Sequence, residues 1–482
     1  MLAVPPQTGD DRAVPAFEPI AEVRYERRGD VRVFEQGWQS WSPSAAYGLD
    51  AKPRRPTGER AQRLCYRSQA PAAQSGFQGE GLLAVGEGDG PVTVVAQASP
   101  SGAVPQVRAV DRGGAVEVAT DRPDLVEALT IEGTPAESAG PGDDDAYALP
   151  GAMQGAIRTW AQGWAGRAGL PGVRPAPTVW CSWYQYWTEV AEPALLAEAE
   201  ALAAAGLPVE VVQIDDGWQQ EIGDWVERTD RFGSLAATAG RLRGLGFRTG
   251  LWTAPFFAGG QSALAREHPE WLVRGDDGEP LVVAEHWLQP LYALDATHPA
   301  AADHLRALFG GFAAAGIDYH KVDFVFAGAI EGRRHADVDG VTAYREGLRL
   351  IREAIGPEAY LLGCGAPQQA SAGLVDAMRV GPDVNPAWEP YEGDWAQPGG
   401  RAARATTQAR LWSDSWWVVD PDCLLARPWM EHRADWAAFV ERVARSGGMV
   451  SLSDSIADLD ADGMASYRRL LALGGGATPY DR

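Results

Sequence analysis

Residues 300–324 read AAADHLRALFGGFAAAGIDYHKVDF, a helix-forming stretch followed at once by a short strand-like run. From Ala300 to Ala315 the alanines, leucines and phenylalanines recur with helical spacing. Asp318–Phe324 is short, and its Tyr, Val and Phe side chains are typical of a strand. A helix that leads directly into such a strand is the repeating unit of α/β folds.

The same unit recurs over the second part of the chain. Eight candidate strands alternate with Ala-, Leu- and Arg-rich helical stretches: Thr178–Trp183, Val209–Asp215, Arg248–Ala254, Asp318–Phe324, Tyr360–Cys364, Asp376–Gly381, Ser415–Asp420 and Met449–Ser453. Eight strand–helix units in about 300 residues predict a (β/α)8 TIM barrel. A ninth run, Tyr292–Asp295, follows a long excursion after the third strand, and we place it in the third loop, outside the barrel.

The first part of the chain differs from the second in composition and residue pattern. It is rich in Val, Gly, Pro and Thr, with short alternating runs at Val31–Phe34, Pro91–Gln97 and Ala115–Ala119. This pattern predicts an N-terminal antiparallel β-sandwich-like domain. A helix at Gly151–Ala165 and a proline-rich linker at Gly169–Pro177 follow it. We therefore expect a β-rich domain at residues 1–165 and a catalytic barrel at residues 175–475.

Composition narrows the class of protein. Of 482 residues, 45% are hydrophobic, which suits a globular chain with a large core. The formal charge of −23 disfavours nucleic acid and anionic membranes as partners. No apolar run reaches membrane-spanning length, and the start lacks the features of a signal peptide. Four widely spaced cysteines suggest neither disulfides nor a zinc site, so we expect a cytoplasmic protein.

Carboxylates stand at five of the eight strand ends, where the active sites of such barrels lie. They are Asp215 and Asp216, Asp323, Asp383, Asp420 and Asp422, and Asp454. Strand alternation places Lys321 on the same face as Asp323, and a lysine keeps a neighbouring carboxylate ionised, as a nucleophile requires. An ordinary ion pair inside the barrel would give the same pattern.

The other strand ends also have two interpretations each. Gly381-Pro382 would turn the chain and present Asp383 over the barrel mouth, although an aspartate there is also a common turn cap. Asp215-Asp216 could accept hydrogen bonds from neighbouring sugar hydroxyls or bind a divalent metal. The metal interpretation lacks histidine ligands at suitable spacing, so we predict no metal and no cofactor.

Eight motifs, taken in order, resemble glycoside hydrolase family 36, whose commonest members are α-galactosidases of the melibiase type. They are Gly37-Trp-Gln-Ser-Trp-Ser-Pro, Trp180-Cys-Ser-Trp-Tyr, Gln213-Ile-Asp-Asp, Gly250-Leu-Trp-Thr-Ala-Pro-Phe, Lys321-Val-Asp-Phe-Val-Phe-Ala-Gly, Gly363-Cys-Gly, Met378-Arg-Val-Gly-Pro-Asp and Asp420-Pro-Asp-Cys. They cover the chain from about residue 31 to residue 475.

The resemblance implies a retaining exo-α-galactosidase that forms a covalent glycosyl-enzyme. Asp323 would be its nucleophile and Asp383 its acid/base, with carboxyls about 5–5.5 Å apart. Residues expected to bind the sugar are Asp215, Asp216 and Lys321 at its hydroxyls, Trp252 against the ring, Cys364 and Arg379 near the 2-hydroxyl, and Trp41 from the N-terminal domain. The expected partner is an α-galactoside substrate.

Three alternatives remain open. An α-N-acetylgalactosaminidase or a galactosyl transferase could use the same scaffold, although a 2-acetamido group needs the space assigned to Cys364 and Arg379. A metal-dependent barrel hydrolase would use the Asp215-Asp216 pair. A non-catalytic sugar-binding barrel would fit the apparent lack of the C-terminal β-sandwich found in longer family members. That lack also leads us to expect a homo-oligomer that covers the barrel end.

Overall fold

Two antiparallel sheets form the first part of the protein. The computed structural model describes residues 16–474 except 57, 59–61, 63–64, 68–72, 74, 101 and 134–146. The strands are β1 (Glu18–Arg24), β2 (Val31–Glu35), β3 (Ala45–Gly48), β4 (Phe77–Glu80), β5 (Leu82–Glu87), β6 (Val92–Gln97), β7 (Gln106–Asp111), β8 (Ala115–Thr120) and β9 (Val126–Ile131). One sheet has the order β1-β8-β7-β4 and the other β3-β2-β5-β6-β9.

The two sheets pack face to face, as the alternating sequence predicts. Val33 and Val85 from one sheet and Val107 and Val118 from the other lie in the same buried cluster. In β8 the burial alternates strictly between buried and half-buried side chains, which is the signature of a strand with one face in a core. The predicted sandwich-like domain is therefore confirmed.

The five-stranded sheet also buries its second face, and this joins it to the rest of the molecule. Helix α1 (Gly151–Ala168) lies against it, with Met153 and Ile157 in the same core cluster as Phe34 and Val94. On its other side α1 carries indole rings that pack against tryptophans preceding the seventh barrel strand, for example Trp164 on Trp416 with ring centroids 4.5 Å apart. Because α1 contacts both parts, the predicted boundary between residues 165 and 175 remains a prediction.

Eight parallel strands form the barrel. They are β10 (Val179–Cys181), β11 (Val211–Ile214), β14 (Arg248–Thr253), β18 (Ile317–Val322), β19 (Tyr360–Gly363), β20 (Ala377–Arg379), β21 (Val418–Asp420) and β22 (Ser451–Leu452). Their spatial order is β21-β20-β19-β18-β14-β11-β10-β22. Backbone bonds from Met449 N to Val419 O (2.9 Å) and from Leu424 N to Ser451 O (2.7 Å) join the two ends of the sheet. The predicted barrel is confirmed, with all eight strands in place.

Helices cover the barrel between successive strands. They are α2 (Trp183–Tyr186), α3 (Glu192–Ala204), α4 (Leu235–Gly244), α5 (Ala263–Glu267), α6 (Pro299–Ala314), α7 (Gly340–Ile355), α8 (Gln368–Ser371), α9 (Gly400–Ala409), α10 (Arg433–Arg445) and α11 (Ala461–Leu471). Side-chain caps begin several of them: Asp339 accepts from Thr342 N, and Asp460 accepts from Gly463 N. Among the described residues, no helix is both long and apolar enough to cross a membrane.

The loops after β11 and β14 carry additional strands. Strands β12 (Gln219–Glu221) and β13 (Asp224–Glu227) pair with each other, and β15 (Phe257–Gly259), β16 (Val282–His286) and β17 (Gln289–Ala293) form a small sheet. The ninth strand-like run is therefore outside the barrel, as predicted. Trp183, predicted to end the first strand, instead begins helix α2.

Strand alternation divides the barrel interior into an apolar floor and a polar top. Val179, Val211, Tyr319, Tyr360 and Val418 belong to one buried cluster that fills the floor. Two residues further along each strand, towards its carboxyl end, come Cys181, Gln213, Lys321, Leu362 and Asp420. Of these five positions, all except Leu362 place a polar atom or thiol just above the floor, at the end where barrel active sites lie.

Candidate active site

Lys321 and Asp215 form the central ion pair of the barrel mouth. Lys321 Nζ lies 3.1 Å from Asp215 Oδ2 and 4.0 Å from Asp323 Oδ2. Burial lowers the pKa of Lys321, but the charges on Asp215 and Asp323 outweigh it and raise that pKa well above its usual value. The sequence predicted Lys321 as the partner of Asp323, and the structure places it closer to Asp215.

Asp323 faces donors as well as the lysine. Trp252 Nε1 donates to Asp323 Oδ2 over 3.0 Å, and the amide of Phe324 donates to Oδ1 over 2.7 Å. Its side chain retains 9% exposure. Trp252, which the resemblance places against the sugar ring, is almost wholly buried and contacts Asp323 through its indole N–H.

Asp216 is a buried carboxyl held by two side chains from the loops. Gln219 Nε2 donates to Oδ1 (2.5 Å), and Trp287 Nε1 donates to Oδ2 (2.9 Å). Burial raises the pKa of Asp216 to about 6, and the neighbouring charge of Asp215 adds to that effect. Trp287 occupies the turn between β16 and β17 in a left-handed conformation with φ of 47°. The sequence had not indicated this tryptophan.

Asp383 lies at the rim and is the most exposed of the candidate carboxyls. Its side chain is 35% exposed, and Oδ1 accepts a hydrogen bond of 2.8 Å from Arg379 Nη2. The atoms packed around this carboxyl still desolvate it, despite its exposure at the rim, and raise the pKa of Asp383 to about 6, although the guanidinium of Arg379 opposes the change. Arg379 also contacts Asp422, which in turn accepts a hydrogen bond from the Tyr184 hydroxyl.

Trp41 reaches the barrel mouth from the N-terminal domain, as the resemblance implied. Its ring meets Phe324 edge-on, with centroids 4.8 Å apart, and its buried Nε1 has no acceptor within the described part of the chain. Gly365 makes room for it, since a Cβ there would lie 2.8 Å from Trp41 Cη2 and 2.9 Å from Phe324 N. Gly365 and Phe324 both have left-handed backbones, with φ of 52° and 51°.

Cys364 is wholly buried behind the two candidate carboxyls. Burial, followed by the charge of Asp323, raises the pKa of its thiol well above the usual value, so it is not a nucleophile at neutral pH. Cys181 lies on the opposite side, with Sγ 3.3 Å from Asp215 Oδ2. All four cysteines are buried free thiols.

Arg410 connects the N-terminal domain to the barrel, and the sequence had not indicated it. Its fully buried guanidinium donates to the carbonyls of Gly37, Gln39, Ser40 and Ser42, which surround Trp41, and to the carbonyl of Val380 in the barrel. Burial lowers the pKa of Arg410 to about 9, which leaves it charged at neutral pH. The Trp-Gln-Ser-Trp loop is therefore anchored above the sixth strand.

The structure brings all nine predicted site residues to one end of the barrel. Three residues near the site were not predicted from the sequence as site residues: Trp287, Arg410, and Asp422 as the partner of Arg379. Asp422 lies within one of the eight motifs, whereas nothing in the sequence distinguishes the other two from ordinary surface or helix residues. Within residues 16–474 as described, no three His, Cys, Asp or Glu side chains converge as a metal site requires.

A barrel with two carboxyls of different character at its mouth, one buried among donors and one at the rim, is an arrangement typical of glycoside hydrolases. A family model described as Melibiase matches residues 173–347. The α-galactosidase TtGalA from Thermus thermophilus, solved in complex with stachyose, is 30% identical, with a TM-score of 0.76 over 93% of this chain and 92% of that one. At that identity over nearly both whole lengths, this chain belongs to the melibiase family, glycoside hydrolase family 36.

Two further relatives are more distant. The GH36 α-galactosidase AgaA from Geobacillus stearothermophilus shares the fold, with a TM-score of 0.60 at 14% identity over 94% of this chain and 62% of that one. The bifunctional α-galactosidase/sucrose kinase AgaSK of Mediterraneibacter gnavus is 35% identical over 89 residues, which are 17% of this chain and 10% of that protein. The chain thus matches about a tenth of that curated relative and under two thirds of AgaA.

Proposed function

We propose that the protein is a retaining exo-α-galactosidase that releases terminal α-linked galactose from α-galactosides. The observation that carries the proposal is the contrast between two carboxyls at one barrel mouth. Asp323 faces Lys321 and two N–H donors, as an anionic nucleophile requires, whereas burial raises the pKa of Asp383, as a proton donor requires.

The chemistry takes two steps. Asp383 donates its proton to the glycosidic oxygen while Asp323 attacks the anomeric carbon, so the leaving group departs as an alcohol and a glycosyl ester forms on Asp323. Asp383, now a carboxylate, then takes a proton from water as that water attacks the anomeric carbon and displaces the Asp323 carboxylate. Galactose leaves with its original anomeric configuration, and both carboxyls return to their starting states.

The remaining residues suit a galactose ring. Asp215 and Asp216 offer adjacent carboxylate acceptors to neighbouring hydroxyls, and Lys321 supplies a cationic donor between Asp215 and the nucleophile. Trp41 contributes an indole N–H that has no other acceptor in the described structure. The Thermus relative, solved with p-nitrophenyl α-D-galactopyranoside and with stachyose, supports both aryl and oligosaccharide α-galactosides as substrates.

The test is hydrolysis of p-nitrophenyl α-galactoside by the wild type and by Asp323→Ala. We expect activity to fall by at least 10³-fold in the variant, and azide or formate to restore part of it by entering the space of the lost carboxylate. An Asp323→Ala enzyme as active as the wild type would remove the nucleophile assignment. Proton NMR of the first product formed by the wild type distinguishes retention (α-galactose) from inversion (β-galactose).

Two alternatives can be separated with the same protein. Faster release of nitrophenol from the α-N-acetylgalactosaminide than from the α-galactoside would favour a galactosaminidase. We expect the opposite, because Cys364 and Arg379 are buried where a 2-acetamido group would need space. A metal-dependent hydrolase would lose activity in EDTA. The ammonium of Lys321, 3.1 Å from Asp215, argues against a divalent cation there, because it already supplies the positive charge.

A further inference from the structure

Arg379 is shared between two carboxylates, and only one of them has a task in the proposed mechanism. The same Nη2 atom donates to Asp383 Oδ1 over 2.8 Å and contacts Asp422 Oδ2. Asp383 is 35% exposed at the rim, whereas Asp422 is 2% exposed on the inner side of the guanidinium. A buried carboxylate in that position needs a physical reason, since burying a charge is costly unless it is paired.

Asp422 is held rigidly by groups from three elements. Tyr184 donates its hydroxyl to Oδ2, the amide of Val384 donates to Oδ2 over 2.8 Å, and the amide of Cys423 donates to Oδ1 over 2.7 Å. The backbone of Asp422 is left-handed, with φ of 87°. Residues other than glycine seldom adopt that region and persist there only where the surroundings impose it, often at functional sites.

Two of these contacts act directly on Asp383. Val384 is the next residue along the chain, so its hydrogen bond to Asp422 fixes the backbone that carries the Asp383 carboxyl. Arg379 is the bonded neighbour of that carboxyl, so its bond to Asp422 fixes the direction from which the guanidinium approaches. Asp422 therefore determines the geometry of Asp383 without itself facing the pocket.

We propose that Asp422 is a positioning residue for the acid/base: it anchors Arg379 and the backbone after Asp383, and its negative charge offsets the positive charge of Arg379. This inference rests on the proposed function, because it assumes that Asp383 gives up a proton to the leaving group.

The electrostatic part follows from the groups around Asp383. An arginine beside a carboxyl lowers the carboxyl pKa by about 1–3 units, which would leave too little of the acid form at neutral pH. Desolvation has the largest effect on the pKa of Asp383 and raises it; Arg379 opposes that change, and Asp422 adds to it. The titratable and charged groups that face Asp383 are Arg379, Asp422, Lys321, Asp323, Tyr184 and Cys364. Of these, Asp422 and the Tyr184 hydroxyl share the donor atom Arg379 Nη2 with Asp383, and Asp422 is the one of the two that carries a negative charge.

Asp422→Asn tests the proposal, because asparagine has the same shape and tolerates a left-handed backbone. We expect the alkaline limb of the pH profile of kcat/KM, measured on p-nitrophenyl α-galactoside, to move about 1 pH unit lower. At pH 7, kcat/KM should therefore fall about tenfold. Asp422→Asn with the limb of the wild type would overturn the proposal.

Tyr184→Phe is the matched control. It removes a hydrogen bond to the same carboxylate but leaves both charges, so its limb should stay within about 0.3 pH unit of the wild type. A limb displaced as far as that of Asp422→Asn would show that packing, and not charge, controls Asp383, and would overturn the electrostatic part. If Asp422→Asn does not fold, Asp422→Glu replaces it. A limb near that of the wild type with lower kcat is then expected, and a limb about 1 unit lower contradicts the proposal.

A measurement that needs no turnover distinguishes a failure of this inference from a failure of the proposed function. A wild-type protein that hydrolyses no α-galactoside would refute the function. The role of Asp422 would then be decided by the 13C carboxyl resonance of Asp383, assigned by its loss in Asp383→Asn. We expect this carboxyl to titrate about 1 unit lower in Asp422→Asn than in the wild type, and identical titrations would overturn the inference.

Discussion

Arg410→Met should loosen the contact between the N-terminal domain and the barrel. Arg410 is wholly buried at the end of α9, and its guanidinium donates to five backbone carbonyls on the two sides of that contact. Its shortest bonds, both 2.7 Å, reach Ser40 O in the tryptophan loop and Val380 O in the barrel. Methionine fills most of the same volume but donates no hydrogen bond.

The expected cost is set by the carbonyls that remain. Gln39 O also accepts from Ser42 N over 3.0 Å, so it keeps one donor when the arginine is removed. The other four lose the donor that Arg410 provides, and each buried unsatisfied carbonyl costs about 1–3 kcal/mol. Removing the buried charge recovers part of this, so a net loss of about 3–5 kcal/mol in the free energy of unfolding is expected. Arg410→Lys keeps the charge with fewer donors and should lose about half as much.

The assays are equilibrium urea unfolding followed by tryptophan fluorescence, and kinetics on p-nitrophenyl α-galactoside. We expect a lower urea midpoint in both variants, and a KM that rises by more than kcat falls in Arg410→Lys, because Trp41 is the site residue whose loop is released. Arg401→Met is the control: this half-exposed arginine on the same helix pairs with Glu389 and should change stability by less than about 1 kcal/mol. An Arg410→Met protein with the urea midpoint of the wild type would refute the reasoning.

Three further changes test separate features of the structure. Gly365→Ala places a methyl group 2.8 Å from Trp41 in a left-handed backbone, so the free energy of unfolding should fall by about 2–4 kcal/mol and KM should rise. Unchanged values of both quantities would contradict the described contact. Asp216 has a pKa raised to about 6 in the folded state, so its stabilising contribution is present at low pH and is lost as pH rises from about 4 to 6. Relative to Asp216→Asn, the wild type should lose about 2 kcal/mol of unfolding free energy between pH 4 and pH 7, and a constant difference would be inconsistent with this burial. Leu288 is fully exposed with φ of 59°, so Leu288→Asn should raise the urea midpoint by the equivalent of about 0.5–1 kcal/mol, and a fall would mean that the turn is not strained.

Local patterns are sufficient to predict the barrel and most of its mouth. Alternation within a strand determines which residues share a face, so Lys321 and Asp323 can be paired from their spacing alone. Parallel strands all end at the same edge, so Asp215 and Asp383 can be assigned to one site from their positions after β11 and β20. Helix ends, by contrast, shift by a few residues: the helix predicted at Gly151–Ala165 continues to Ala168.

The eight strand–helix units, the sandwich before them and the acidic residues at the strand ends follow from local patterns, because those features depend on spacing along a few neighbouring residues. Which donor meets each acid depends instead on how the whole chain folds. Arg410 meets Gly37 across 373 positions of sequence, Tyr184 meets Asp422 across 238, and Trp287 meets Asp216 across 71. No local period encodes such pairs, because they form only when the sheet closes and loops from distant strands converge above it. The same convergence places Lys321 beside Asp215 and the indole N–H of Trp252 beside Asp323.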